Sequence, residues 1–203
     1  MAVETEPHGT EEHATSLGID NRKLAMWAFL GSECMFFGAL IATYMLFHTH
    51  LNNGPGPRDV YNIPYTSVSS FVLLMSSLTM VLALSAIQRG DERGMRIWLL
   101  ATAFLGMTFI GGQVYEFTEF FKEGLTIKTS PFGSAFFMLT GFHGAHVTVG
   151  ILMLLSLFQL SRLGKIPPSD ALKVELVGLY WHFVDVVWIV IFTVVYLIPA
   201  SKK

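Results

Sequence analysis

Five apolar stretches, at about 24–48, 66–88, 96–119, 133–161 and 174–199, alternate with short polar or breaker-rich segments. About 20 residues in a helix cross a hydrocarbon core of roughly 30 Å, and backbone groups in lipid must pair within their own segment, which selects helix. The pattern predicts an all-α polytopic membrane protein, a bundle of five transmembrane helices. Spans and short loops use most of the chain, leaving no room for a soluble catalytic domain. Asn52-Asn53-Gly54-Pro55-Gly56-Pro57-Arg58-Asp59 reads as an irregular turn, and Gln88 to Gly94 as a tight charged connection. Leu163 to Asp170 ends the fourth span, with Ser169 or Asp170 as candidate cap for the fifth. No repeat and no pair of matching broken helices appears, which argues against a secondary transporter.

Composition agrees with this reading. Hydrophobic residues make up 52% of the chain and charged residues 14%, the latter clustered between the apolar runs. Residues 1–21 form an acidic segment with Glu4, Glu6, Glu11 and Glu12 and no basic region leading to a cleavage site. It reads as a solvated tail, not a signal peptide, with the first span acting as an uncleaved insertion signal. Residues 22–203 hold the five-helix domain. With the N-terminus cytoplasmic, eight cations fall inside: Arg22, Lys23, Arg89, Arg93, Arg96, Arg162, Lys165 and Lys173. Five fall outside: Arg58, Lys122, Lys128, Lys202 and Lys203. The positive-inside rule therefore places the N-terminus inside and the C-terminus outside. No nucleic-acid partner is expected.

Polar residues within the spans carry the chemistry, since an ionisable group near mid-membrane costs at least about 2.5–3.5 kcal/mol and normally faces protein or water. Glu33 lies roughly ten residues, or about 15 Å, into the first helix. It is either a proton-handling or lipid-contacting carboxyl, or a neutral acid bonded inside the bundle. His143 and His146 share one face of the fourth span at i, i+3 spacing, among small residues that allow close helix approach. Tyr180 to Trp188 places His182 and Asp185 one turn apart in the last span. These four could form a metal-ligand set. Hydrogen bonding between helices explains the same pattern and is the reading taken, with no metal and no catalytic residue assigned. Glu116 and Glu119 fall at the outer end of the third span, where Glu119 reads as solvated.

Certain functions are excluded. A centre with two haems and a copper needs about six membrane-embedded histidines, and the interiors of the spans supply three, His143, His146 and His182. Cys34 is the only cysteine, so a dinuclear copper site, an internal disulfide and a Cys-x-x-Cys-His haem attachment are ruled out. Neither a phosphate-binding loop nor a dinucleotide fingerprint is present.

Three motifs nonetheless resemble subunit III of the haem–copper respiratory oxidases, in its short five-span bacterial form. Ser32-Glu33 followed by Met35-Phe36-Phe37 looks like that family's carbodiimide-reactive glutamate segment. Thr140-Gly141-Phe142-His143-Gly144-Ala145-His146-Val147, with Gly150, looks like its Gly-Phe-His-Gly-x-His-Val signature, and Tyr180 to Trp188 matches its last-helix signature. The long form has seven spans; this chain resembles the part beginning at the glutamate-bearing helix, without the first two.

The resemblance implies an accessory role in a bacterial cell membrane. Such a subunit binds no redox cofactor, packs on subunit I, joins subunit II and other oxidase subunits, and leaves haem and copper to its partners. It holds phospholipid, supports proton uptake and protects the complex during turnover; membership of a respiratory supercomplex is a further expectation. Carried over, Glu33 is the family's buried glutamate and Lys23 a candidate for a lipid phosphate, while His143, His146, His182 and Asp185 bond between helices. The complex would be a cytochrome c oxidase, with a quinol oxidase or an accessory protein of nitric oxide reductase as alternatives. A stand-alone proton-coupled transporter or channel is the alternative from a different class.

Overall fold

The computed structural model describes residues 20–51, 62–167 and 170–198. Five long helices run through them: α1 Asn21–Phe47, α2 Ile63–Gln88, α3 Glu92–Lys122, α4 Pro131–Arg162 and α5 Ala171–Phe192, the last continuing as a π-helical turn, Thr193–Leu197. All five are long and apolar enough to cross a membrane, and no strand occurs among the described residues. At about 1.5 Å per residue, the 31 residues of α3 and the 32 of α4 reach beyond a bilayer core. Their polar ends, such as Glu92 and Arg162, therefore lie past the apolar segments. Most of the acidic tail, the Asn52 to Asp59 turn and Ser169 fall outside the described residues.

Local chemistry sets the boundaries. Asp20, Asn62, Asp91 and Ser130 each accept a backbone N–H of the first turn they precede, at 2.8, 3.2, 2.9 and 3.0 Å. Pro131 opens α4, where its missing N–H costs nothing. Asp170, expected as a cap for α5, makes no capping bond; its carboxylate is drawn to Lys173 Nζ instead, at 2.6 Å. α2, α3 and α4 end alike. Gly90, Gly124 and Gly164 adopt positive φ, and the following N–H returns to the carbonyl of Ala86, Phe120 and Leu160 respectively.

α2, α3, α4 and α5 form a closed ring, each packed on its two neighbours, and α1 lies outside against α4 and α5. Lipid is as apolar as leucine, so such helices are held by close packing and interhelical bonds, not by escape from water. Two tryptophans of α5 centre the ring. The Trp181 indole lies against Gly106 of α3 and Gly150 of α4, and its Nε1–H donates to Ser76 Oγ of α2 at 2.9 Å. Two turns on, Trp188 donates to Ser70 Oγ at 2.9 Å, stacks on the His143 ring with centroids 4.8 Å apart, and meets Phe109 edge-on at the same separation. Each layer joins all four helices of the ring.

α1 is held differently. Only Phe37 and Tyr44 of its side chains are buried, and Trp27, Met35 and Leu46 face outward. Three polar contacts fasten it: Lys23 to Glu175 of α5 at one end, Glu33 to His146 of α4 midway, and the Tyr44 hydroxyl to the Val195 carbonyl at the other end.

Candidate functional site

Glu33 falls twelve residues into α1, about 18 Å along the axis. Its Oε2 lies 3.2 Å from His146 Nε2, and both side chains are mostly enclosed. His146 Nδ1 lies 2.7 Å from the Phe142 carbonyl oxygen. A carbonyl only accepts, so Nδ1 carries a proton, and Nε2 faces the carboxyl with either a lone pair or a second proton. The pair is then carboxylic acid with neutral imidazole, or carboxylate with imidazolium. Net charge is zero either way, and one hydrogen-bonding proton lies between the two side chains. Phe37 packs edge-on to the imidazole with centroids 5.0 Å apart, and the Tyr180 hydroxyl donates to the His146 carbonyl at 3.0 Å. The site is therefore built by α1, α4 and α5.

The four residues expected to bond between helices do not form one network. His146 pairs with Glu33. His182 Nδ1 lies 2.9 Å from Ser77 Oγ of α2, and Ser77 also stands beside Asp185. Asp185 Oδ1 is buried without a hydrogen-bond partner in the described chain, and so are both ring nitrogens of His143. His143 acts here as an aromatic ring, enclosed by Trp188, Phe109 and Phe37. The conceived four-ligand set does not converge, since no three His, Cys, Asp or Glu side chains among the described residues are arranged around a common ion. Lys23, read as a candidate for a lipid phosphate, is paired with Glu175.

Glu116 belongs to the interior and not to the solvated end of α3. Expected with Glu119 at the outer end of its span, it is 3% exposed, and three side chains donate to its carboxylate. Thr66 Oγ1 and the Tyr196 hydroxyl reach Oε1 at 2.7 and 3.2 Å, and Gln113 Nε2 reaches Oε2 at 3.3 Å. The signal was periodicity: Leu99, Thr102, Gly106, Phe109, Gln113, Glu116 and Phe120 form one inward stripe of α3, with Glu119 off that stripe.

Comparison with known proteins bears on what this bundle is. Residues 1–199 match the family described as cytochrome c oxidase subunit III. The cytochrome c oxidase subunit 3 of Bacillus sp. (strain PS3) is 40% identical over 197 residues, covering 97% of this chain and 95% of that one. The quinol oxidase subunit 3 of Bacillus subtilis (strain 168) is 40% identical over 175 residues, covering 86% and 85%. The cytochrome bo(3) ubiquinol oxidase subunit 3 of Pseudomonas aeruginosa is 36% identical over 189 residues, covering 93% and 90%. With a match over nearly its whole length, the chain belongs to the cytochrome c oxidase subunit III family of the respiratory oxidases.

Proposed function

We propose that the chain is the cofactor-free accessory subunit of a proton-pumping cytochrome c oxidase. It sits against subunit I in the cell membrane with its N-terminus cytoplasmic, shields the flank of that subunit with lipid, and supports proton uptake while electrons pass to dioxygen. Haem and copper belong to the partner subunits. The observation that carries this is the Glu33 and His146 pair, a carboxyl and an imidazole in hydrogen-bond contact near the middle of the bundle. A proton can pass between these two side chains without placing net charge in hydrocarbon, which is the expensive step. A second reading has quinol as the donor, favoured by the quinol oxidase subunits among the relatives.

Purification of the tagged chain from its native membrane in mild detergent tests the assignment, read by mass spectrometry and a reduced-minus-oxidised visible spectrum. A histidine-rich multispan partner with haem bands is the expected result. Co-purification of a copper-binding subunit with two cysteines selects cytochrome c, and its absence selects quinol. Recovery of the chain alone and colourless, from membranes rich in oxidase, would overturn the reading.

A further inference from the structure

Thr66 and Glu116 form an arrangement that the oxidase reading does not use. The Thr66 hydroxyl lies 2.7 Å from Glu116 Oε1 and 3.1 Å from the Asn62 carbonyl oxygen. It carries one proton and so can serve one of these acceptors at a time. With Glu116 ionised, Thr66 donates to Oε1, alongside Tyr196 on the same oxygen and Gln113 on Oε2. With Glu116 protonated on Oε1, that oxygen donates to Thr66 Oγ1, and the threonine turns its own proton to the Asn62 carbonyl. Tyr196 and Gln113 keep their bonds in both states. No buried polar group is stranded by either, so neither state leaves an orphaned partner.

A route for the proton is also in place. Glu116 lines a crevice of about 500 Å³ between the start of α2 and the end of α3, with Asn62, Tyr65, Tyr115, Glu119 and Glu123 as the other polar walls. Titratable and charged groups reach this region from several elements: Tyr65 from α2, Tyr115, Glu119 and Glu123 from α3, and Tyr196 from the π-helical turn of α5. Lys122 is paired with Glu119, α1 brings Tyr44 against the same π turn, and α4 contributes phenylalanine rings, Phe136 packing on Phe120. π-helical turns are rare overall but frequent at functional sites; here the turn carries Tyr196, whose hydroxyl donates to the carboxylate.

We propose that Glu116 and Thr66 form a second proton-exchange site, which opens to the aqueous phase at the end of the bundle where α3 gives way to α4. The ligand is the proton itself, exchanged with crevice water, and the reversal of the Thr66 hydroxyl is the accompanying change. This site is separate from Glu33, and only naming the aqueous side as external rests on the orientation given above.

Infrared difference spectra of the purified full-length chain, recorded between acid and alkaline buffer, test it. Wild type is expected to show a pH-dependent carboxyl C=O band that Glu116→Gln lacks and that Glu119→Gln and Glu123→Gln retain. Thr66→Val keeps the carboxyl but removes its exchange partner, and should displace the band. Superimposable spectra of wild type and Glu116→Gln would overturn the proposal. Should that variant fail to accumulate, Thr66→Val decides: a displaced band supports the site, and an unmoved one overturns it. If the chain fails to co-purify with an oxidase, the oxidase reading falls and this result stands.

Discussion

Glu33 and His146 can be separated into a fold role and a proton role, because the two substitutions remove different things. Glu33→Gln keeps a group of the same shape that can donate to His146 Nε2, but takes away the exchangeable proton. Assembly should be retained while proton uptake falls or inactivation during turnover accelerates, as measured on the purified complex in liposomes. Unchanged pumping stoichiometry together with unchanged inactivation would make the pair structural only. His146→Ala leaves the carboxyl enclosed and alone, a loss of about 1–3 kcal/mol, read as a lower melting temperature. Much of this site was legible in the sequence, since a carboxyl that deep needs a partner, and His146 is one of three histidines within the spans. The pairing itself was not legible. Spacing put His143 and His146 on one face, but only the arrangement of α1 against α4 turns His146 to Glu33 and His143 to the Trp188 ring.

At the level of elements, the ring depends on glycines that admit tryptophan. A Cβ on Gly150 would stand about 2.8 Å from the Trp181 ring, and one on Gly106 about 2.6 Å, whereas one on Gly141 meets nothing within 4 Å. Trp181 is fully buried and tied to Ser76, so the indole cannot yield. Gly150→Ala and Gly106→Ala should each lower stability by about 1–3 kcal/mol through overpacking. Gly141→Ala should be neutral or stabilising by up to about 1 kcal/mol, through better helix propensity. Thermal unfolding in detergent of the three variants side by side measures this; equal melting temperatures would remove the keystone role of Trp181. The helices themselves could be read from runs of apolar residues and their breaker-rich ends, because each depends on local chemistry such as Asp91 and Gly90. Which helices neighbour which could not, because a stripe such as that of α3 marks the inward face but not the helix it meets. The serines of α2 that receive the two indoles look, in sequence, like any small residues of a membrane helix. Asp170 shows the same limit in miniature: its type suited a cap, but a lysine one turn later competes for its carboxylate.

At the scale of the whole molecule, the ring and its appended helix have two unlike ends. One end gathers Arg22, Lys23, Arg89, Arg93, Arg96, Arg162, Lys165 and Lys173, and the other carries Lys128 and Lys122, the latter paired with Glu119 of the Glu116 crevice. Among charges near span ends, it is lysine and arginine that set orientation, so the first end is expected in the cytoplasm. Accessibility can decide this with little disturbance, since Cys34 is the sole cysteine. In a Cys34→Ser background, single cysteines at Arg93 and at Lys128 lie at opposite ends, and both positions are exposed. A membrane-impermeant maleimide added to intact cells should label Lys128→Cys and spare Arg93→Cys until the membrane is opened. The reverse pattern would invert the topology, turn the Glu116 crevice to the cytoplasm, and make that carboxyl a candidate for proton uptake. The labelling pattern thus assigns the Glu116 crevice to one side of the membrane, while Glu33 stays midway between the two.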